Sequence, residues 1–86
     1  MTRSIEETTR FIADYEQVAT MARQTANAWA REESREDLLR RLHRLEDRGV
    51  AILPLGLALE MQQGVKHILV LAAEALQQRF EPLMRR

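Results

Sequence analysis

Residues 68–76 read ILVLAAEAL, and residues 50–59 read VAILPLGLAL. Wound as a helix, the first run carries apolar side chains on every side and leaves Glu74 as the residue suited to water. A helix that is apolar all round is normally enclosed on all sides. A chain of 86 residues has little volume with which to enclose one, because small domains bury only about 60% of the surface their unfolded chains expose. The expectation is that a second chain, identical or not, covers part of this surface.

Around these runs the hydrophobic period is helical throughout, and no segment alternates as a strand does. Ser4 followed by Glu7 forms a capping box, in which the hydroxyl takes an amide of the first turn and the glutamate reaches back. Ile5, Thr8, Ile12, Tyr15, Ala19, Ala22, Ala26 and Trp29 then recur at three- and four-residue spacing. That is an a/d seam about four heptads long. It predicts a first helix from about Ile5 to Arg31, with Phe11 and Val18 widening the stripe. The alanines in its middle permit a close approach by a neighbouring helix.

The seam is interrupted by REESRED at 31–37. Ser34 with Asp37 is a second capping signal, and a new helix from Arg35 to Arg48 is the favoured reading over a continuation of the first. Leu38, Leu42 and Leu45 line its inner face with Leu39 beside them, and Gly49 is placed to end it in the left-handed conformation. Pro54 suits the first turn of a third helix, expected over 54–80 and stopping near Pro82. Its stripe is Ala58, Met61, Val65, Ile68, Leu69, Ala72, Leu76 and Phe80. Gly56 and Gly64 fall inside it, and each weakens a helix interior by about 1 kcal/mol relative to alanine. The fold expected is all-α: one domain over 1–86, a three-helix unit. Its two long helices, each roughly 40 Å if straight, form an antiparallel hairpin-like bundle that oligomerisation completes. There is no internal repeat and no low-complexity segment.

Composition narrows the function classes. Thirteen basic and thirteen acidic residues cancel, whereas a nucleic-acid surface usually makes a domain strongly basic. The absence of cysteine excludes disulfides, thiolate metal sites and a thiol nucleophile. MTRSIEETTR at the start carries acids and no apolar core, unlike a secretory signal. No apolar run reaches the roughly 20 residues that span a bilayer. A cytoplasmic protein without a membrane segment is expected.

The chain offers little that resembles catalysis. His43 and His67 stand apart, and the residues three before them are Arg40 and Gly64, so the Glu-x-x-His pattern of bundle metal sites is missing. Glu60 and Glu74 lie about four turns apart and mark a solvent side rather than an acid–base pair. Ser4 and Ser34 read as caps. No catalytic, cofactor-binding or metal-ligating residue is assigned. RRLHRLEDR at 40–48 is the one basic concentration, with Arg40, Arg44 and Arg48 on a single stripe. Phosphate contact would be its functional use. Glu36 and Asp37, four residues before Arg40 and Arg41, favour helical ion pairs instead.

The sequence therefore reads as a non-enzymatic helical protein–protein interaction module: an adaptor, inhibitor, co-chaperone or accessory subunit that masks or bridges a partner's apolar surface. A homodimer or an obligate heteromer is expected. A small nucleic-acid-associated regulator using Arg40–Arg48 is the alternative. The candidate partner-binding residues are Ile68, Leu69, Leu71, Ala72, Leu76 and Phe80 of the third helix, with Tyr15 and Trp29 of the first. Phe80, Leu83 and Met84, flanked by Arg79, Arg85 and Arg86, form a late apolar cluster suited to docking or folding back.

Overall fold

In a computed structural model, which describes residues 4–84, the chain is all-helical, with four helices and no strand among the described residues. Arg85, Arg86 and the Met84 side chain, grouped above with the late apolar cluster, lie outside the described residues. The helices are α1 (Ile5–Ala30), α2 (Arg35–Asp47), α3 (Leu53–Glu60) and α4 (Val65–Met84). α1 packs on α2 and α4, and α3 packs on α2 and α4, which closes a ring of neighbours. The molecule measures 44 × 19 × 17 Å.

Local sequence explains the first two helices. The Ser4 hydroxyl oxygen accepts the Glu7 amide at 3.1 Å. The Ser34 oxygen accepts the Asp37 amide at 3.2 Å, while its hydroxyl donates to Asp37 Oδ2 at 2.9 Å. Each satisfies an amide that the first turn of a helix leaves without a partner. Residues 31–34 are thus a connection, and α2 begins as a new helix. Gly49 ends it at φ 86°. The Gly49 amide donates to the Glu46 carbonyl at 2.9 Å and the Val50 amide to the Leu45 carbonyl at 3.1 Å. This is the paired bonding of a Schellman stop.

The expected third helix over 54–80 is in fact two. It breaks at 61–64, where Gln62 takes a left-handed φ of 56°. Gln62 and Gln63 amides donate to the Leu59 and Ala58 carbonyls at 3.1 and 2.9 Å, the same Schellman pair. Glu32 (φ 56°) and Glu33 repeat it on Trp29 and Ala28 at the end of α1. The α1–α2 and α3–α4 connections are therefore one turn used twice, thirty residues apart. Ala28 and Ala58, Leu38 and Ile68, Leu42 and Ala72, and Leu45 and Ala75 are all buried at that same offset. A left-handed residue with a side chain costs about 1–2 kcal/mol. At the second turn a remote contact offsets it: the Trp29 indole N–H donates to the Gln63 carbonyl at 3.2 Å.

Pro82 does not end the last helix, which continues to Met84. Proline removes one amide donor and crowds the carbonyl four residues earlier. Pro82 and Gln78 are both exposed, so water can serve that carbonyl.

The core runs along the ring's axis. Val18, Leu42, Leu45, Leu55, Ile68 and Phe80 are the largest fully buried side chains, each contributing roughly 1.5–3 kcal/mol on burial. Ala22, Ala26, Ala72 and Ala75 lie among them. The buried face of α1 holds Phe11, Val18, Ala22, Thr25, Ala26 and Trp29. It is rotated from the expected seam, so that Ile5 and Ile12 face outward. Buried Thr25 satisfies its hydroxyl on the Met21 carbonyl at 2.9 Å.

α1 and α4 outrun the other two helices. Arg48, just past α2, already lies beside Asp14 and Gln17. Beyond that level the first turns of α1 lie against the last turns of α4. Phe80 closes the core there, edge-on to Phe11 and Tyr15 with ring centroids 5.7 and 5.1 Å apart.

Candidate functional site

Among the described residues eight large apolar side chains are exposed, and helical spacing collects them on two faces. On α3, Leu53, Leu57 and Met61 recur every four residues and are 55–72% exposed. Four-residue spacing on a helix stacks side chains along one stripe. The opposite side of α3 supplies Leu55 and Ala58 to the core. An ion pair between Arg35 and Glu60 ties α3 to the start of α2.

The second face runs along α1 and α4. Leu69, Leu76 and Phe80 share one stripe of α4, since separations of seven and eleven residues return within about 20° on a 3.6-residue helix. Phe80 meets Tyr15 and Phe11, so this stripe faces α1. Ile5, Ile12 and Ala19 follow one another in the same way on α1, with Tyr15 beside them. Ile5, Ile12, Tyr15, Leu69 and Val70 are 38–86% exposed.

These positions sort the candidate contact residues. Tyr15 and Leu69 are exposed, and Leu71 and Leu76 are half-buried against the core. Ile68, Ala72, Phe80 and Trp29 are core residues of the chain itself, with 0–9% of their surface exposed. Within the single chain the ring of four helices already covers these four. Leu53 and Leu57 were not among the sequence candidates. Their signal was the leucine repeat inside VAILPLGLAL, which the expected stripe through Ala58, Met61 and Val65 passed over.

The charged groups are largely engaged with one another. Asp14 accepts from Arg48 at 2.8 Å and from Arg79 at 3.3 Å, and Arg79 Nε donates to the Arg48 carbonyl at 3.0 Å. This clamp joins α1, α4 and the end of α2. Arg40 pairs with Asp37 at 3.1 Å and Arg41 with Glu33 at 3.2 Å. The partners differ from the expected i,i+4 pairs because Glu33, before the helix, reaches Arg41. The Arg31 hydrogen bond, reinforced by Arg41, holds the Glu33 carboxyl below the usual glutamate range. Three of the four arginines in 40–48 are thus matched to carboxylates, which weakens a phosphate-binding role.

A cleft of roughly 370 Å³ opens between the two Schellman turns, over Trp29, Leu38 and Leu59. Glu32 is its one ionisable lining residue, so it holds no acid–base pair. Among the described residues no three His, Cys, Asp or Glu side chains gather as a metal site, and no helix is long and apolar enough to cross a membrane. Set beside protein-family models, curated proteins and solved structures, the chain matches none.

Proposed function

We propose that the protein is a non-enzymatic interaction module that masks or bridges apolar surfaces of other protein chains. One observation carries the reading: among the described residues eight large apolar side chains lie exposed, along α3 and along α1 and α4, on a molecule with a core of its own. Single exposed leucines are ordinary, whereas contiguous apolar faces mark interaction sites. The α3 stripe suits a helix-in-groove or helix-on-helix contact, read through anchors four residues apart. Clusters of large apolar anchors are where binding energy concentrates.

The test is co-purification from native cells of the wild type, of Leu53→Ser/Leu57→Ser/Met61→Ser and of Ile12→Ser/Leu69→Ser. All substituted side chains are exposed, so each variant keeps its helical circular dichroism. The reading expects a stoichiometric partner, another chain or a second copy, that one of the variants loses. A monomer that brings no partner, and that both variants leave unchanged, would refute it.

A further inference from the structure

We infer that the α1/α4 face binds a second copy of this chain in an antiparallel, two-fold arrangement centred between Ala19 and Thr20. The inference rests on the reading above and names one partner for one face.

The outward stripe of α1 on this face runs Ile5, Thr9, Ile12, Glu16, Ala19, Arg23, Asn27 and Ala30. It holds one acid and one base, seven residues and therefore about 10 Å apart. No ion pair joins either residue within the described chain, and Arg23 donates to Thr20 Oγ1 at 3.2 Å. A two-fold axis between Ala19 and Thr20 sets Glu16 of each copy against Arg23 of the other. The same operation meets Ile12 with Asn27 and Thr9 with Ala30, and leaves small side chains at the centre, where the backbones come closest. Pairing of this kind is isologous, since one patch serves both copies.

α4 obeys the same axis. Asp14 opposite Arg79 and Trp29 opposite Gln63 set the register of α1 on α4. That register puts Leu69 and Val70 level with Ala22, Arg23 and Gln24. The axis then brings Leu69 of one copy to the level of Tyr15 of the other, so that these two exposed apolar residues approach one another.

The experiment is the solution mass of the purified chain by light scattering across a dilution series, with charge reversals. The wild type should be a dimer at tens of micromolar. Glu16→Arg and Arg23→Glu, each placing like charges across the axis, should raise the dimer dissociation constant at least tenfold. The double reversal, Glu16→Arg with Arg23→Glu, should restore it. Because the chain lacks cysteine, Thr20→Cys offers an independent check: it should form a disulfide dimer under mild oxidation, and Thr9→Cys should not. A wild-type monomer at 0.5 mM (a chosen upper limit, on the order of a millimolar Kd), single reversals without effect, or a double reversal that fails to restore the dimer would each overturn the proposal. A monomer that still brings a stoichiometric heterologous partner overturns the dimer and leaves the interaction reading standing; a monomer that brings none overturns both.

Discussion

Replacing Gly49 with alanine tests how the clamp at the end of α2 is built. Gly49 sits at φ 86°, and a Cβ there would lie 2.6 Å from Arg79 Nε. Two costs follow. The left-handed conformation costs an alanine about 1–2 kcal/mol. Arg79 must also withdraw and lose its bond to the Arg48 carbonyl. A hydrogen bond from a charged group contributes roughly 1.5–3 kcal/mol, and partial exposure of Arg79 favours the low end. Together about 2.5–3.5 kcal/mol should disappear from a total of roughly 4–13 kcal/mol for a chain of this size. Urea unfolding followed by circular dichroism at 222 nm measures the loss, with a melting temperature lower by roughly 10 °C or more. Arg79→Ala completes a cycle. Since the arginine is already displaced in Gly49→Ala, the double variant should be less destabilised than the sum of the singles, by about 1 kcal/mol or more. A Gly49→Ala protein within about 0.5 kcal/mol of wild type, or a strictly additive cycle, would refute this account.

Trp29→Phe keeps an aromatic side chain but removes the indole donor to Gln63. It should cost about 0.5–1.5 kcal/mol and speed hydrogen exchange at the Gln62 and Gln63 amides more than at those of α2. Leu42→Ala, at a position with no exposure, should destabilise by about 2–5 kcal/mol in the same urea assay. Glu33 binds its proton less readily when folded, chiefly through its bond from Arg31. Its stabilising contribution is therefore full above the unfolded value of about 4.3 and fades as pH falls through the lower folded value. A carboxyl titration by NMR should find Glu33 below the ordinary glutamate range, and Arg31→Ala should raise it.

What could be read from the sequence was what neighbouring residues decide. Ser4, Ser34 and Gly49 end or begin helices through bonds that span three to five residues, so α1, α2 and the stop at Gly49 were legible, as was the inner face of Leu38, Leu42 and Leu45. The break between α3 and α4 was not. Gln62 has no intrinsic preference for a left-handed turn, and the group that holds it, the Trp29 indole, is more than thirty residues away. The α1 seam was misjudged by a fraction of a turn for a similar reason. An a/d reading supposes one neighbour, whereas α1 packs between α2 and α4 and turns Val18 and Thr25 inward, with Ile12 left outside. For the candidate contact surface, Tyr15 and Leu69 were recoverable from spacing. The core places of Ile68 and Phe80 needed the ring of four helices, because an apolar residue looks the same in sequence whether its own chain or another covers it.

That ambiguity makes α3 the most informative element. Eight residues are too few to hold a helix in water by propensity, and Gly56 weakens it further. α3 persists because Leu55 and Ala58 are buried, the Arg35–Glu60 pair ties one end, and the Gln62–Gln63 turn closes the other. None of these supports involves Leu53, Leu57 or the Met61 side chain. Folding therefore makes no demand for apolar groups at those three positions, and polar residues there would favour solubility. Their presence on a helix anchored from behind divides the apolar run: one side holds α3 to the bundle, and the other is exposed, as the interaction module proposed above requires.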